Sequence, residues 1–287
     1  MTLKTEIESL LFLLDDPDPF VQQSVKQRFF ELGEQAVPLL DSFQADSTDE
    51  FQKRQASDII HDITFTHLQE DLSDLLQKGI KNRTQLEAAV LTLARFGNPT
   101  LRVQEYQKKL DHFAEMVMPH VRYKLDERKK MKQLLKFVFE DLNFTGDDQD
   151  YHHPDNCLMD KVIDSRKGLP ISLSLIVMFL ARRLELPFFG VNMPIHFMLT
   201  FIGEKEEILI DPFDDGAVVT YDQCYFFLKK NNIEPKPEYF QVASDYDILI
   251  RCVRNLMHGY EHIEDQDKIE DLQKLLAIVE HYEDNQS

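Results

Sequence analysis

The sequence predicts a helix-rich α+β protein with a small antiparallel sheet in the middle of the chain. Apolar residues recur at three- and four-residue spacing through most of residues 1–142 and again after residue 240, which is typical of amphipathic helices. Between these regions, one strongly apolar helix precedes three short strand-like runs, two of which are joined by a glycine-containing loop. A helix followed by antiparallel strands is the pattern of the α+β class.

Length and composition exclude several other classes of protein. With 287 residues, 43% of them hydrophobic, the chain can bury a core of its own, unlike a disordered or collagen-like chain. Three cysteines are too few for a disulfide framework, and no leader sequence is recognisable, so we expect a cytoplasmic location. The longest strongly apolar stretch, Ile171–Ala181, is too short to span a bilayer and predicts a buried helix rather than membrane association.

The net charge of −19 is unevenly distributed along the chain. Residues 1–80 carry a net −10 and residues 231–287 a net −8, whereas residues 81–230 carry only −1. A surface this negative repels phosphate backbones, so general nucleic-acid binding is disfavoured. We expect the acidic ends to form solvated helical layers that offer docking surfaces to a protein partner.

Residues 1–142 are predicted to be helical. An apolar stripe that ends at Leu14 is followed by Asp-Pro-Asp-Pro, which ends one helix and caps the next. The second helix is predicted to close at Gly33, and the run Ala36–Leu40 starts a third. This arrangement resembles a HEAT-type helical repeat, which implies a docking role; a plain helical bundle is the alternative.

Residues 143–240 form the predicted central domain. A polar loop, a short helix around Val162 and a turn at Arg166–Pro170 lead into the apolar helix. The three strands that follow are predicted at Phe188–Met193, His196–Ile202 and Glu207–Asp211. Because the last two form a hairpin, the start of one strand lies beside the end of the other. His196 and Asp211 are therefore expected to be within reach of each other.

His196 and Asp211 are the candidate reactive pair. A carboxylate beside an imidazole orients and polarises it, as the corresponding member of a catalytic triad does. The nucleophile of such a site belongs at the amino terminus of a buried helix, where the helix dipole lowers the pKa of a thiol. The helix is predicted here, but its first turn, Pro170–Ser174, contains no cysteine.

Several motifs, in one order, resemble the transglutaminase-like superfamily. They are Asn156-Cys157-Leu158, RKGLPISLSLI from Arg166, ARRLELP from Ala181, GVNMPIHFMLTF from Gly190 and ILIDPFDDG from Ile208. The set is similar in particular to the core-2 branch, typified by bacterial SirB-type proteins and also found in a eukaryotic F-box protein. The resemblance implies a papain-like fold and a Cys–His–Asp triad. His196 and Asp211 match its last two members, whereas the cysteine position falls at about Pro170–Ser172 and is not cysteine.

Three interpretations of this site are open. We favour a degenerate, non-catalytic cleft that binds a protein or peptide partner. In the second, Ser172 is the nucleophile and His196 the general base of an acyl-transfer or hydrolytic enzyme, although Ser172 also suits a hydrogen-bonding role at the helix start.

The third interpretation makes Cys157 the nucleophile. It follows two good N-cap residues, so we expect it in the first turn of a short helix, where a thiolate is favoured. Inert packing is the alternative for this thiol, and Cys224 and Cys252 are predicted to be core residues.

No cofactor and no metal site is predicted. His258 and His262 are four residues apart, but their order, HGYEH, is not the HExxH of zinc proteases, and no glycine cluster suits a phosphate. Residues 241–287 are predicted to form a helical pair that packs on the core and resembles a tetratricopeptide-like unit. One pair is too short for a repeat array.

Overall fold

A computed structural model describes residues 3–14, 16–80, 83–121 and 126–284. Contacts within the chain divide it into two compact units, Met1–Asp71 and Leu72–Ser287. In the described ranges, no helix is both long and apolar enough to cross a membrane.

The first unit is built from helices. They are α1 (Leu3–Phe12), α2 (Pro19–Leu32), α3 (Val37–Asp46) and α4 (Glu50–Gln77), which contains the division between the units. The Asp18 side chain caps α2 by accepting a hydrogen bond from the Phe20 N–H at 2.9 Å. Gly33 closes α2 with φ +58°, a conformation that favours glycine, so both predicted ends of this helix are confirmed. Its buried side chains are Val25 and Phe29.

The second unit contains the remaining helices and all the strands of the described residues. The helices are α5 (Arg83–Leu93), α6 (Val103–Val121), α7 (Glu127–Lys136), α8 (Met159–Ser165), α9 (Pro170–Arg183), α10 (Tyr221–Lys230), α11 (Asp245–His262) and α12 (Gln266–Asp284). The strands are β1 (Thr145–Gly146), β2 (Lys167–Gly168), β3 (Phe188–Val191), β4 (Met198–Ile202), β5 (Glu207–Asp211) and β6 (Ala217–Val219). A π-helical turn, Phe137–Asp141, extends α7.

Helix α9 is the centre of the second unit. Every residue from Pro170 to Ala181 is buried, as predicted, and the helix contacts α5, α6, α8, α11 and the sheet. Only at its carboxyl end does α9 carry charge. There, Arg182 and Arg183 donate to the carboxylate of Glu87 on α5, at 2.7 and 2.6 Å, and Arg183 also reaches Asp111 on α6 at 2.7 Å.

The main sheet has the strand order β3-β4-β5-β6, with every neighbouring pair antiparallel. The β4–β5 hairpin is confirmed, with Ile202 opposite Glu207 at its tight turn. Strand β6 was not predicted. Strands β1 and β2 form a separate parallel pair. The helix-rich α+β class with a small antiparallel sheet is therefore confirmed.

The strand predicted at His196–Ile202 is shorter than expected. It begins at Met198, so His196 lies in the loop between β3 and β4 rather than opening a strand. Pro194 lacks a backbone donor, and Ile195 has φ +58°, outside the range of extended backbone. These two residues keep the chain out of the sheet until after His196.

The two last helices pack against each other, and α11 also packs on α5 and α9. The side chains that α11 buries include Ile248, Leu249, Cys252, Val253 and Leu256, and those of α12 include Ile269, Leu272, Leu275 and Val279. Ser244 and Asp247 form a reciprocal capping box at the start of α11.

Candidate functional site

The imidazole of His196 and the carboxylate of Asp211 form a hydrogen-bonded pair. His196 Nε2 lies 2.8 Å from Asp211 Oδ1, and the two side chains are 17% and 21% exposed. Asp211 is the last residue of β5, where the turn begins. Its Oδ1 also accepts hydrogen bonds from the backbone N–H groups of Phe213 at 2.9 Å and Asp214 at 3.4 Å. The carboxylate is thereby fixed in position beside the ring.

Electrostatics favour the ionised form of Asp211. Burial by itself raises its pKa, but the hydrogen bond and charge of His196, with the two backbone N–H groups, lower the pKa below its usual value overall. An ionised carboxylate only accepts hydrogen bonds, so His196 Nε2 is the donor. In the neutral ring this leaves Nδ1 as the proton acceptor.

Aromatic rings flank His196. Phe213 and Phe227 contact it edge to face, with ring centroids 6.3 and 5.6 Å away. Tyr151 in turn packs on Phe213 at 5.5 Å. These contacts hold the imidazole plane and give the pair apolar walls.

Ser172 is occupied in capping α9. Its Oγ accepts a hydrogen bond from the Leu169 N–H and donates one to the Asn156 carbonyl, both at 2.8 Å, and the residue is 2% exposed. A hydroxyl has one proton to donate, and that proton is already used. In the part of the chain that the structure describes, Ser172 makes no hydrogen bond to His196.

The expected placement of Cys157 in the first turn of a helix is wrong. Pro154 starts a one-turn 3₁₀ helix, capped by His153, whose Nδ1 accepts from the Asp155 N–H at 3.2 Å. Cys157 follows that turn and precedes α8, outside the first-turn position of either helix.

The expected thiolate at Cys157 is also wrong. Cys157 is 8% exposed, and burial, with a smaller effect of Cys252, raises the pKa of its thiol well above the usual range. It makes no hydrogen bond to His196 among the described residues. Cys224 and Cys252 are buried too, as predicted. The structure therefore brings His196 and Asp211 together and leaves Ser172 and Cys157 in separate roles.

A cavity of about 770 Å³ lies next to the loop that carries His196, and we call it the α11 cleft. Ile195, the residue before His196, and Leu169, the residue before α9, both line it. Its wall is formed largely by polar residues of α11 and α12, among them Asp247, Arg251, Arg254, His258, Glu280 and Glu283. Cys157 and Tyr151 also contribute to the lining. A volume of this size is typical of sites for small ligands and short peptide segments.

Arg251 is the residue of the cleft that sequence reasoning missed. Its Nη1 donates to Asn192 Oδ1 at 2.9 Å, in the loop that carries His196. Burial lowers the pKa of its guanidinium. The available signal was a polar stripe on α11, in which Asp247, Arg251, Arg254 and His258 follow one another at helical spacing.

The chain resembles known proteins over its central part. The family model described as the transglutaminase-like superfamily matches residues 104–254. A UPF0162 protein of Vibrio cholerae is 29% identical over 181 residues, covering 61% of this chain and 60% of the relative. Another, of Xylella fastidiosa, is 26% identical over 189 residues, covering 64% and 67%.

F-box only protein 21 of Homo sapiens is 25% identical over 235 residues, covering 71% of this chain and 37% of the relative. The chain thus spans about three fifths of the Vibrio relative's length and a smaller share of the human one. No solved structure matches.

Proposed function

The chain belongs to the transglutaminase-like superfamily, and on this premise we propose that it is a non-catalytic protein-interaction or regulatory module. In this proposal, the α11 cleft holds a segment of a protein or peptide partner without turning it over. One observation carries the proposal. At the start of α9, where the superfamily resemblance places a cysteine, the chain has Pro170 and Ser172, and the Ser172 hydroxyl is hydrogen-bonded to backbone groups.

The environments of the two candidate nucleophiles, Ser172 and Cys157, support the proposal. A hydroxyl needs an aligned base, and the Ser172 proton is bonded to a backbone carbonyl instead. Thiol chemistry needs the thiolate, which burial opposes at Cys157. The His196–Asp211 pair is left with an imidazole acceptor on the loop that lines the α11 cleft through Asn192 and Ile195, and such an acceptor suits hydrogen bonding to a peptide N–H.

A reactivity comparison tests the non-catalytic character. Wild type and His196→Ala are incubated with an activated ester, an electrophilic amide and iodoacetamide, and covalent adducts are located by mass spectrometry. We expect equal, slow labelling of the two proteins. Faster labelling of wild type at Ser172 or Cys157 contradicts the proposal. Arg128→Met, which removes an exposed ion pair with Glu206, is the matched control.

A second experiment tests binding at the cleft. The proteins are probed on an array of short peptides of varied sequence, comparing wild type with Ile195→Trp, which narrows the cleft. The control is Ile202→Trp, because Ile202 is exposed on β4 and lies outside the cleft lining. We expect loss of peptide binding in Ile195→Trp only. Equal binding by all three proteins rules out the cleft as the binding site.

The second candidate function is an active acyl-transferase or amide hydrolase. The 2.8 Å contact between His196 and Asp211 favours it, because such a pair is the general base of this chemistry. It would use Ser172 or Cys157 as nucleophile, after either residue leaves its present contacts. The reactivity comparison decides between the two functions.

We also extend the proposal to the rest of the chain. Residues 1–142 serve as HEAT-like docking helices, residues 143–240 form the transglutaminase-like core, and residues 241–287 form a tetratricopeptide-like pair. In this scheme the chain is a cytoplasmic, SirB-type protein. The docking partner is a protein with a basic surface, because the chain's two ends carry net charges of −10 and −8.

A further inference from the structure

Arg251 differs from the arginines of the second unit that form ion pairs. Arg182, Arg183 and Arg254 each lie within 2.8 Å of a carboxylate oxygen. In the described residues, no carboxylate lies in ion-pair contact with Arg251, although this side chain is partly buried in the α11 cleft. Its hydrogen bonds to other described residues are donated by Nη1 alone, to Asn192 Oδ1 at 2.9 Å and the Met193 carbonyl at 3.4 Å.

A partly desolvated cation without an anionic partner is unfavourable, and a bound anion relieves the penalty. The guanidinium is planar and presents paired N–H donors that match the two oxygens of a carboxylate. The Nε and Nη2 donors of Arg251 are not committed to other described residues. The arginine therefore offers the cleft a preformed anchor for a carboxylate.

The position of this anchor is defined by its neighbours. Nη1 of Arg251 is tied to Asn192, in the same loop as Ile195, the residue next to His196. Ile195 lines the cleft with φ +58°, and a β-branched residue in this conformation is held there by its surroundings. A ligand fixed at Arg251 is thus held beside the loop that carries the imidazole.

Negative charge lies one helical turn away from Arg251. Asp247 precedes Arg251 by four residues on α11, which is about 6 Å along the helix axis. Glu283 and Asp284 of α12 line the same cleft, and burial, followed by repulsion from Asp247, Asp284 and Glu280, raises the pKa of the Glu283 carboxyl. Crowded carboxylates repel a dianion such as phosphate and attract a basic group.

We propose that the α11 cleft is a binding site for a peptide segment that carries both charges, with its carboxylate on Arg251 and a basic group beside Asp247 and Glu283. This inference specifies the class of ligand for the binding function proposed above, and it rests on that proposed function. Of the two anions that Arg251 could bind, a peptide carboxylate and free phosphate, we assign the carboxylate. The four acidic side chains that line the cleft repel free phosphate, whereas they attract the basic group of a peptide that carries both charges.

The test uses the dipeptide lysylglycine as a minimal probe of both charges. Its binding to the full chain is followed by the ¹⁵N signal of the Arg251 Nε–H group, assigned with Arg251→Met. Lysylglycinamide, which lacks only the carboxylate, and inorganic phosphate are titrated in parallel. We expect a saturable shift with lysylglycine, and about tenfold or more weaker binding of the amide and of phosphate.

Two variants complete the experiment. Arg251→Met is expected to weaken lysylglycine binding about tenfold, whereas Arg128→Met on α7 leaves it unchanged. If Arg251→Met fails to fold, Arg251→Lys replaces it, and the comparison of the acid with the amide on wild type decides alone.

Equal affinities for lysylglycine and its amide, phosphate binding as tight as lysylglycine, or no saturable shift each overturn the inference. The proposed function fails on a different readout, His196-dependent covalent labelling. The two failures are therefore distinguishable.

Discussion

Ser172 Oγ donates a hydrogen bond to the Asn156 carbonyl oxygen at 2.8 Å and so ties the start of α9 to the 3₁₀ turn that precedes Cys157. The same oxygen accepts the Leu169 N–H at 2.8 Å, which provides a partner for a backbone donor at the start of the helix. The side chain at the expected nucleophile position therefore holds two segments of backbone together. Its role here is structural.

Removal of this hydroxyl is expected to affect stability and not reactivity. Ser172→Ala removes the hydroxyl that bridges the Leu169 N–H and the Asn156 carbonyl and leaves these two groups only their 3.3 Å hydrogen bond to each other, so the free energy of unfolding falls by about 1–2 kcal/mol. Urea denaturation measures the change. Ser174→Ala is the control, because the Ser174 hydroxyl only donates to the Pro170 carbonyl of its own helix and its loss is expected to be smaller. An unchanged midpoint in Ser172→Ala contradicts the structural role.

The native thiols are expected to be unreactive in the folded protein. Cys157, Cys224 and Cys252 are all buried, and burial raises the pKa of each thiol, so the reactive thiolate is disfavoured. Iodoacetamide at neutral pH should modify them only after unfolding, and His196→Ala should leave the rate unchanged. Modification of Cys157 in the folded protein, at a rate that falls in His196→Ala, would falsify this assignment.

The His196–Asp211 pair makes stability depend on pH. The native pKa of Asp211 is lowered, so its contribution is fully present above the unfolded pKa, about 3.9, and is lost as pH falls through the native pKa. Asp211→Asn is expected to destabilise the protein by about 1–3 kcal/mol at pH 7, and by progressively less as the pH falls below about 3.9. Denaturant unfolding across this range measures the difference. Asp214→Asn, in the next turn, is the control, and a difference that does not shrink in acid refutes the linkage.

Glu87 is expected to be the most sensitive charged residue of the helical core. It is 1% exposed and forms ion pairs with both Arg182 and Arg183 at the end of α9. Glu87→Gln leaves two partly buried guanidinium groups short of a counter-charge, so we expect a loss of about 3–5 kcal/mol. Urea denaturation provides the measurement. Glu105→Gln breaks an exposed pair with Arg102 and should change stability by at most about 1 kcal/mol. Similar losses in the two variants contradict the distinction.

The sequence predicts those parts of the fold that local pattern and capping chemistry determine. Asp18 and Gly33 mark both ends of α2, and the apolar run after Pro170 becomes the buried α9. The β4–β5 hairpin, which joins His196 to Asp211, follows from one short glycine-containing turn. Where a few residues decide the backbone, the prediction succeeds.

The rest of the site depends on tertiary packing that local pattern does not contain. Cys157 follows two good capping residues, Asp155 and Asn156, but the turn is capped by His153, two residues before Asp155, so Cys157 comes after the turn has ended. Strand β6 has only three residues, and it is defined by its pairing with β5 rather than by a pattern within its own sequence. Arg251 gains its importance from Asn192, which is 59 residues away in sequence. Long-range contacts of this kind are visible only in the folded chain.

The placement of α5 and α12 decides how the protein can be shortened for biophysical work. The region matched by the family model ends at residue 254, inside α11, and begins at residue 104, after α5. A fragment trimmed to that region lacks Glu87, so Arg182 and Arg183 lose their shared carboxylate. It also lacks α12, which supplies Glu280 and Glu283 to the cleft. Crystallisation or NMR fragments of this protein must therefore retain at least residues 83–284, whatever the limits of its sequence similarity.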